Sequence, residues 1–194
     1  MLTMKDVIKE GNPLLKAKSS DVQLPLSKED EQLIIDMMEY VHNSIDDEMC
    51  AKYDLRPAVG IAAPQLGILK KMIAIVAPDE SGIEHEFALI NPKLISYSDE
   101  LTYLEGGEGC LSVDRKCDAL IHRPKRVTFE AYIYNFKSGT INKQKIRLSG
   151  YLAVVFQHEY DHLNGILFVD RANQENPYFI PKNSTPIKFN FEEE

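Results

Sequence analysis

The segment "YLAVVFQHEYDHLNGILF" (151–168) constrains this chain more than any other stretch. From Tyr151 to Phe156 it is apolar at every position, so a helix here has no face to offer solvent and must be buried. The same helix carries His158, Glu159 and His162 inward. At about 3.6 residues per turn the two histidines lie roughly 40° apart around the axis, one turn apart on one face, with Glu159 beside them. A carboxylate buried there without partners is costly. A metal ion held by the histidines removes that cost, provided the fold supplies a third ligand. Ser149 or Gly150 can cap the start of the helix, and Gly165 suits its end.

Two metallopeptidase patterns extend such a segment, and neither completes here. His-Glu-x-x-His-x-x-Gly-x-x-His matches as far as Gly165, then meets Phe168 where its last histidine should stand. A downstream glutamate would have to be Glu175, a poor and rather close candidate in the polar stretch "DRANQENP". Upstream, Cys110 lies in "GGEGCLSV" (106–113), where glycines let the backbone approach closely and a thiolate suits zinc or iron. Cys50 and Cys117, the latter in the charged "DRKCDA", read as ordinary thiols. Cys110 is the expected third ligand. Three protein ligands leave a fourth position for water, whose pKa a catalytic metal lowers to about 7. A structural metal site would more often take all four ligands from the protein.

The remaining chain predicts what surrounds this helix. Ser27 and Asp30 resemble a capping box, after which Leu33, Ile34, Met37, Met38 and Val41 recur at helical spacing. They predict an amphipathic helix over 28–50 with a core-facing stripe. "DLRPAVGIAAPQLG" (54–67) reads as a loop or short strand. Strands are expected at 71–77, 86–96 and 126–135, the last alternating Val127, Phe129, Ala131 and Ile133 with more polar neighbours. Residues 143–150 close a hairpin across "FKSGTIN", with Gly139 at the turn. The basic run "HRPKR" (122–126) reads as solvated surface, and 180–194 as an irregular tail. The order of elements predicts a single domain over 1–194 of the α+β class. Its strands are mostly antiparallel and pack around a buried C-terminal metal-binding helix, with an N-terminal amphipathic helix.

Composition excludes several function classes. A net charge of -8 argues against a nucleic-acid partner, which would need a basic patch. No run approaches 18 apolar residues, and "MLTMKDVIKEGNP" lacks the apolar core of a signal peptide. Three scattered cysteines do not form a disulfide framework. A cytoplasmic protein with reduced thiols is expected.

Three stretches in this order, "GIAAPQLG" (60–67), "EGCLS" (108–112) and "QHEYDHLNG" (157–165), resemble the three motifs of peptide deformylases. The resemblance spans most of the chain, and the residues between the first helix and "GIAAPQ" resemble the longer class of Gram-positive bacteria. It implies a hydrolase that removes the formyl group from N-formylmethionyl nascent polypeptides at the ribosome. It further implies iron(II) as the usual metal, replaceable by nickel, cobalt or zinc, on Cys110, His158 and His162. Glu159 would be the general acid/base, and Gln65 with the Leu111 N–H would hold the oxygen of the tetrahedral intermediate. Val59, Gly60, Tyr151, Val154 and Val155 would line the methionine pocket, with Glu108 near its edge. Read from the residues alone, Glu108 could instead anchor its loop by hydrogen bonds, and Val154 and Val155 could be plain core.

The chemistry is consistent with these residues on its own terms. Glu159 can take the proton as hydroxide attacks the formyl carbon and return it to the leaving amine, while Gln65 and an amide N–H stabilise the charge on oxygen. One departure from the family pattern stands out: Ala58 occupies the first position of the usual Gly-x-Gly. If that position requires φ > 0, alanine strains the loop.

Overall fold

The computed structural model describes residues 1–189. In chain order its elements are α1 (Lys28–Asn43), α2 (Asp47–Tyr53), β1 (Gly60–Ala62), β2 (Met72–Pro78), β3 (Glu84–Tyr97), β4 (Leu101–Tyr103), β5 (Arg123–Pro124), β6 (Arg126–Asn135), β7 (Thr140–Ser149), α3 (Gly150–Leu163) and β8 (Ser184–Pro186). Strands β1–β2–β3–β6–β7 form an antiparallel sheet in that spatial order, and β5–β4–β8 form a smaller one.

The large sheet lies between the two longer helices, and β2 shows why. Its sequence "MIAIVAP" has no polar alternation because both faces are covered. Met72, Ala74 and Val76 pack in one cluster with Ile34, Met37, Met38 and Val41 of α1. Ile73, Ile75 and Ala77 pack in another with Ala153, Val155 and Phe156 of α3. Phe129 of β6 stacks on Phe156, ring centroids 3.9 Å apart. The expected architecture therefore holds: mostly antiparallel strands, an amphipathic helix on one face and the apolar helix buried against the other. The 126–135 strand and the Gly139 turn (φ +63°) fall where the residues placed them.

Three expectations fail. The helix over 28–50 is two helices, because the Ser44 hydroxyl donates to Val41 O at 2.9 Å and ends α1. The same hydroxyl accepts the Ala58 N–H at 3.2 Å, and Asp46 then caps α2 through the Met49 N–H. The tail is not irregular throughout: Ser184–Pro186 pairs in parallel with Leu101–Tyr103. Residues 190–194 of that tail lie outside the described residues. Finally, "HRPKR" is not a solvated run, since Arg123 within it is 2% exposed. It sits on β5, a two-residue strand too short to carry any readable alternation.

Candidate metal centre

His158, Glu159 and His162 are all buried on α3, and the loop after β4 brings Cys110 to them. The Cys110 Sγ lies 3.4 Å from His162 Nε2, and one donor atom from each of Cys110, His158 and His162 lies within 4.8 Å of the others. A thiolate and two imidazoles converging in a buried position are a donor set for zinc or iron. Burial, then the neighbouring His158, pushes the His162 pKa well below its ordinary value, which keeps that ring in the neutral form a metal binds.

The candidate ligands are oriented by a buried ion network. Glu108 Oε2 faces His158 Nδ1 at 2.7 Å, which turns Nε2 of that ring inward. Arg123 grips Glu108 in a bidentate pair, Nε to Oε1 at 2.6 Å and Nη2 to Oε2 at 2.9 Å. Its Nη1 donates to Asp161 Oδ2 at 2.8 Å, and Arg171 closes on the other side of Asp161. Burial alone would raise the Glu108 carboxyl, but Arg123 and His158 outweigh it and hold its pKa at about 2. Glu108 is therefore an anchor; it also lines the adjoining cavity.

Glu159 is treated differently. Burial raises its pKa to about 7, with His158 and Arg123 opposing the rise, and its Oε2 has no hydrogen-bond partner among the described residues. A carboxyl near neutrality with a free oxygen suits a general acid/base. Gly60 on β1 leaves it the room: a Cβ there would lie 2.8 Å from Glu159 Oε1.

Gln65 is 1% exposed, in the single helical turn after β1. Its Oε1 accepts the Ala62 N–H at 2.9 Å, which aims Nε2 at Cys110 Sγ (3.5 Å) and Ser112 Oγ (3.4 Å). The N-terminal segment braces this corner, with Ile8 N–H donating to Gln65 O and Glu10 N–H to Ser112 O, both 2.8 Å. Lys9 Nζ donates to Leu111 O at 2.9 Å. Leu111 is buried and borders the same cavity of about 320 Å³ as Gln65, Cys110, His158 and Glu159. Val59, Gly60, Tyr151, Val154 and Val155 line it as well, and Val155 also belongs to the core against α3.

The three candidate ligands, Glu159, Gln65, Leu111, Glu108 and the expected pocket residues thus lie at one place. Cys50 and Cys117 stay outside the ligand group. Phe168 fills the position of the missing histidine by packing on the His158 ring, centroids 5.8 Å apart, and Glu175 is exposed. Ala58 does not have positive φ, so the alanine is unstrained. Arg123 and Asp161 are the functional residues the sequence reading missed. Their signal was present as two acids, Glu108 and Asp161, placed beside buried ligands and in need of a cation.

Residues 4–178 match the family described as Polypeptide deformylase. The chain is 52% identical to the peptide deformylase of Oceanobacillus iheyensis over 190 residues, covering 97% of this chain and all of that one. It is 50% identical to peptide deformylase 2 of Bacillus cereus over 188 residues, with the same coverage. Among solved structures, a class I type b peptide deformylase from Acinetobacter baumannii with actinonin bound superposes with a TM-score of 0.65 at 28% identity, covering 87% of this chain and 97% of that one. A variant of Arabidopsis thaliana peptide deformylase 1B gives 0.67 at 31% identity, covering 87% and 82%.

Proposed function

The chain belongs to the polypeptide deformylase family, and from that premise we propose which of its residues carry out the reaction. It is a hydrolase that removes the formyl group from N-formylmethionyl nascent chains in a metal-dependent reaction. Cys110, His158 and His162 hold the metal, which we assign as iron(II), with nickel, cobalt or zinc able to replace it. When bound, the metal supplies a Lewis acid that lowers the pKa of water.

Glu159 takes a proton from the attacking water and delivers it to the leaving amine. Gln65 Nε2, aimed by the bond that Gln65 Oε1 accepts from the Ala62 N–H, and the Leu111 N–H hold the oxygen on which charge develops. The methionine side chain enters the apolar cavity between Val59, Gly60, Tyr151, Val154 and Val155, with Glu108 at its edge. One catalytic domain, at work in the cytoplasm on chains leaving the ribosome, completes the assignment.

The observation that carries this reading is the juxtaposition of Glu159 with the three donors beside an apolar cavity. Glu159→Gln tests it, since the amide keeps the size while removing the proton acceptor. Metal should stay bound while hydrolysis of a formyl-methionyl peptide falls by at least ~10²-fold. Near-normal turnover in the metal-replete variant would refute the role. Loss of metal would place Glu159 among the ligands instead.

A further inference from the structure

Tyr151 forms part of the cavity wall, and two residues outside all three motifs hold it. Glu80, in the turn joining β2 to β3, accepts the Tyr151 N–H through Oε1 at 3.0 Å. It does so where Ser149, the N-cap of α3, makes no side-chain cap bond of its own. Gly150 (φ +57°) makes the approach feasible, because a Cβ there would fall 1.3 Å from Glu80 Oε1. The turn carrying Glu80 is itself fixed. Asp79 Oδ1 accepts the N–H groups of Ser81 (2.9 Å) and Ile83 (3.1 Å), and its Oδ2 lies 3.0 Å from His85 Nε2. The Tyr151 ring meets Phe189 edge-on, with centroids 5.0 Å apart and planes at 73°. That is a favoured aromatic geometry.

We propose that Glu80 and Phe189 are positioning residues that set one wall of the side-chain pocket, through the backbone and the ring of Tyr151 respectively, and so sharpen selection of methionine. This rests on the cavity being the methionine pocket, as argued above. A tyrosine ring has two side-chain torsions; fixing its backbone at one end and its edge at the other leaves the wall one position. Freed, the ring swings, the cavity loses its shape, and discrimination between side chains falls while the chemistry at Glu159 is untouched.

The test compares kcat and KM of metal-replete full-length variants on formyl-methionyl and formyl-alanyl peptides. Phe189→Ala and Glu80→Ala should each raise KM for the formyl-methionyl peptide by roughly tenfold, the low end for a misfitted apolar pocket. The preference for methionine over alanine should fall by a similar factor, with kcat changed by less than about twofold. Phe189→Tyr, which keeps an aromatic edge, and Glu80→Gln, which keeps an acceptor, should restore the preference. If Phe189→Ala does not fold, Phe189→Leu retains apolar bulk without the ring and must show the same fall. Both peptides slowing in step, or an unchanged preference in an active protein, would overturn the proposal. A wild-type protein unable to deformylate either peptide would instead refute the assignment of the site.

Discussion

Cys110, Cys50 and Cys117 differ in what surrounds their sulfur atoms, and that difference predicts which of them the metal needs. Only Cys110 Sγ faces a histidine nitrogen; the Cys50 thiol donates to the Ser44 carbonyl, and Cys117 packs beside the Leu15, Leu167 and Phe168 cluster. Cys110→Ala should lose tight metal binding, whereas Cys50→Ala and Cys117→Ala keep it. A Cys110→Ala protein that retains about one metal per chain after dialysis would contradict the assignment. Ala58 gives a prediction of definite sign because its φ is not positive. Glycine there adds unfolded-state freedom and loses a methyl packed against the α1 core, so Ala58→Gly should lower stability by at least roughly 0.5–1 kcal/mol, read from a denaturation midpoint. A more stable variant would mean hidden strain. The candidate donors Cys110, His158 and His162 were legible in the sequence because each answered a question of buried charge. Arg123 was not, since "HRPKR" looks the same whether solvated or threaded between Glu108 and Asp161.

At the scale of elements, periodicity located α1 and β6, unbroken apolar runs located α3 and β2, and the turn at Gly139 located β7. Local pattern failed where long-range bonds decide. The break after α1 depends on Ser44 meeting Ala58, and β4, β5 and β8 are too short to carry a pattern. Tyr40 of α1 offers a test of that region. Burial pushes its pKa from 10.0 to about 12, and its hydroxyl donates to Arg56 O at 3.2 Å. The folded value lies above the unfolded one, so this stabilisation is fully present below about pH 10 and is lost as pH rises towards about 12. Tyr40→Phe should cost about 1 kcal/mol at neutral pH, the worth of a typical hydrogen bond. It should also make the alkaline fall in unfolding free energy shallower. Burial or a carboxylate partner raises Tyr134 and Tyr151 too, so the slope should shrink without vanishing. An unchanged slope would place the alkaline sensitivity elsewhere.

For the whole molecule, the sheet, α3 and the N-terminal segment meet at one small volume, while α1 covers the sheet's opposite face. β1 places Gly60, the helical turn after it places Gln65, the loop after β4 places Cys110, and α3 places the histidines and Glu159. No helix among the described residues is long and apolar enough to cross a membrane. Iron(II) beside a thiolate should make the enzyme sensitive to air, and nickel should remove that sensitivity. The most direct test of the account is therefore a titration. Formate release from a formyl-methionyl peptide is measured as iron(II) is added anaerobically to metal-free protein, with nickel in parallel and both forms then exposed to air. The account predicts activity rising in proportion to metal up to about one ion per chain, then lost in air for iron and kept for nickel. Full activity without metal, or no formate released at one ion per chain, would contradict it.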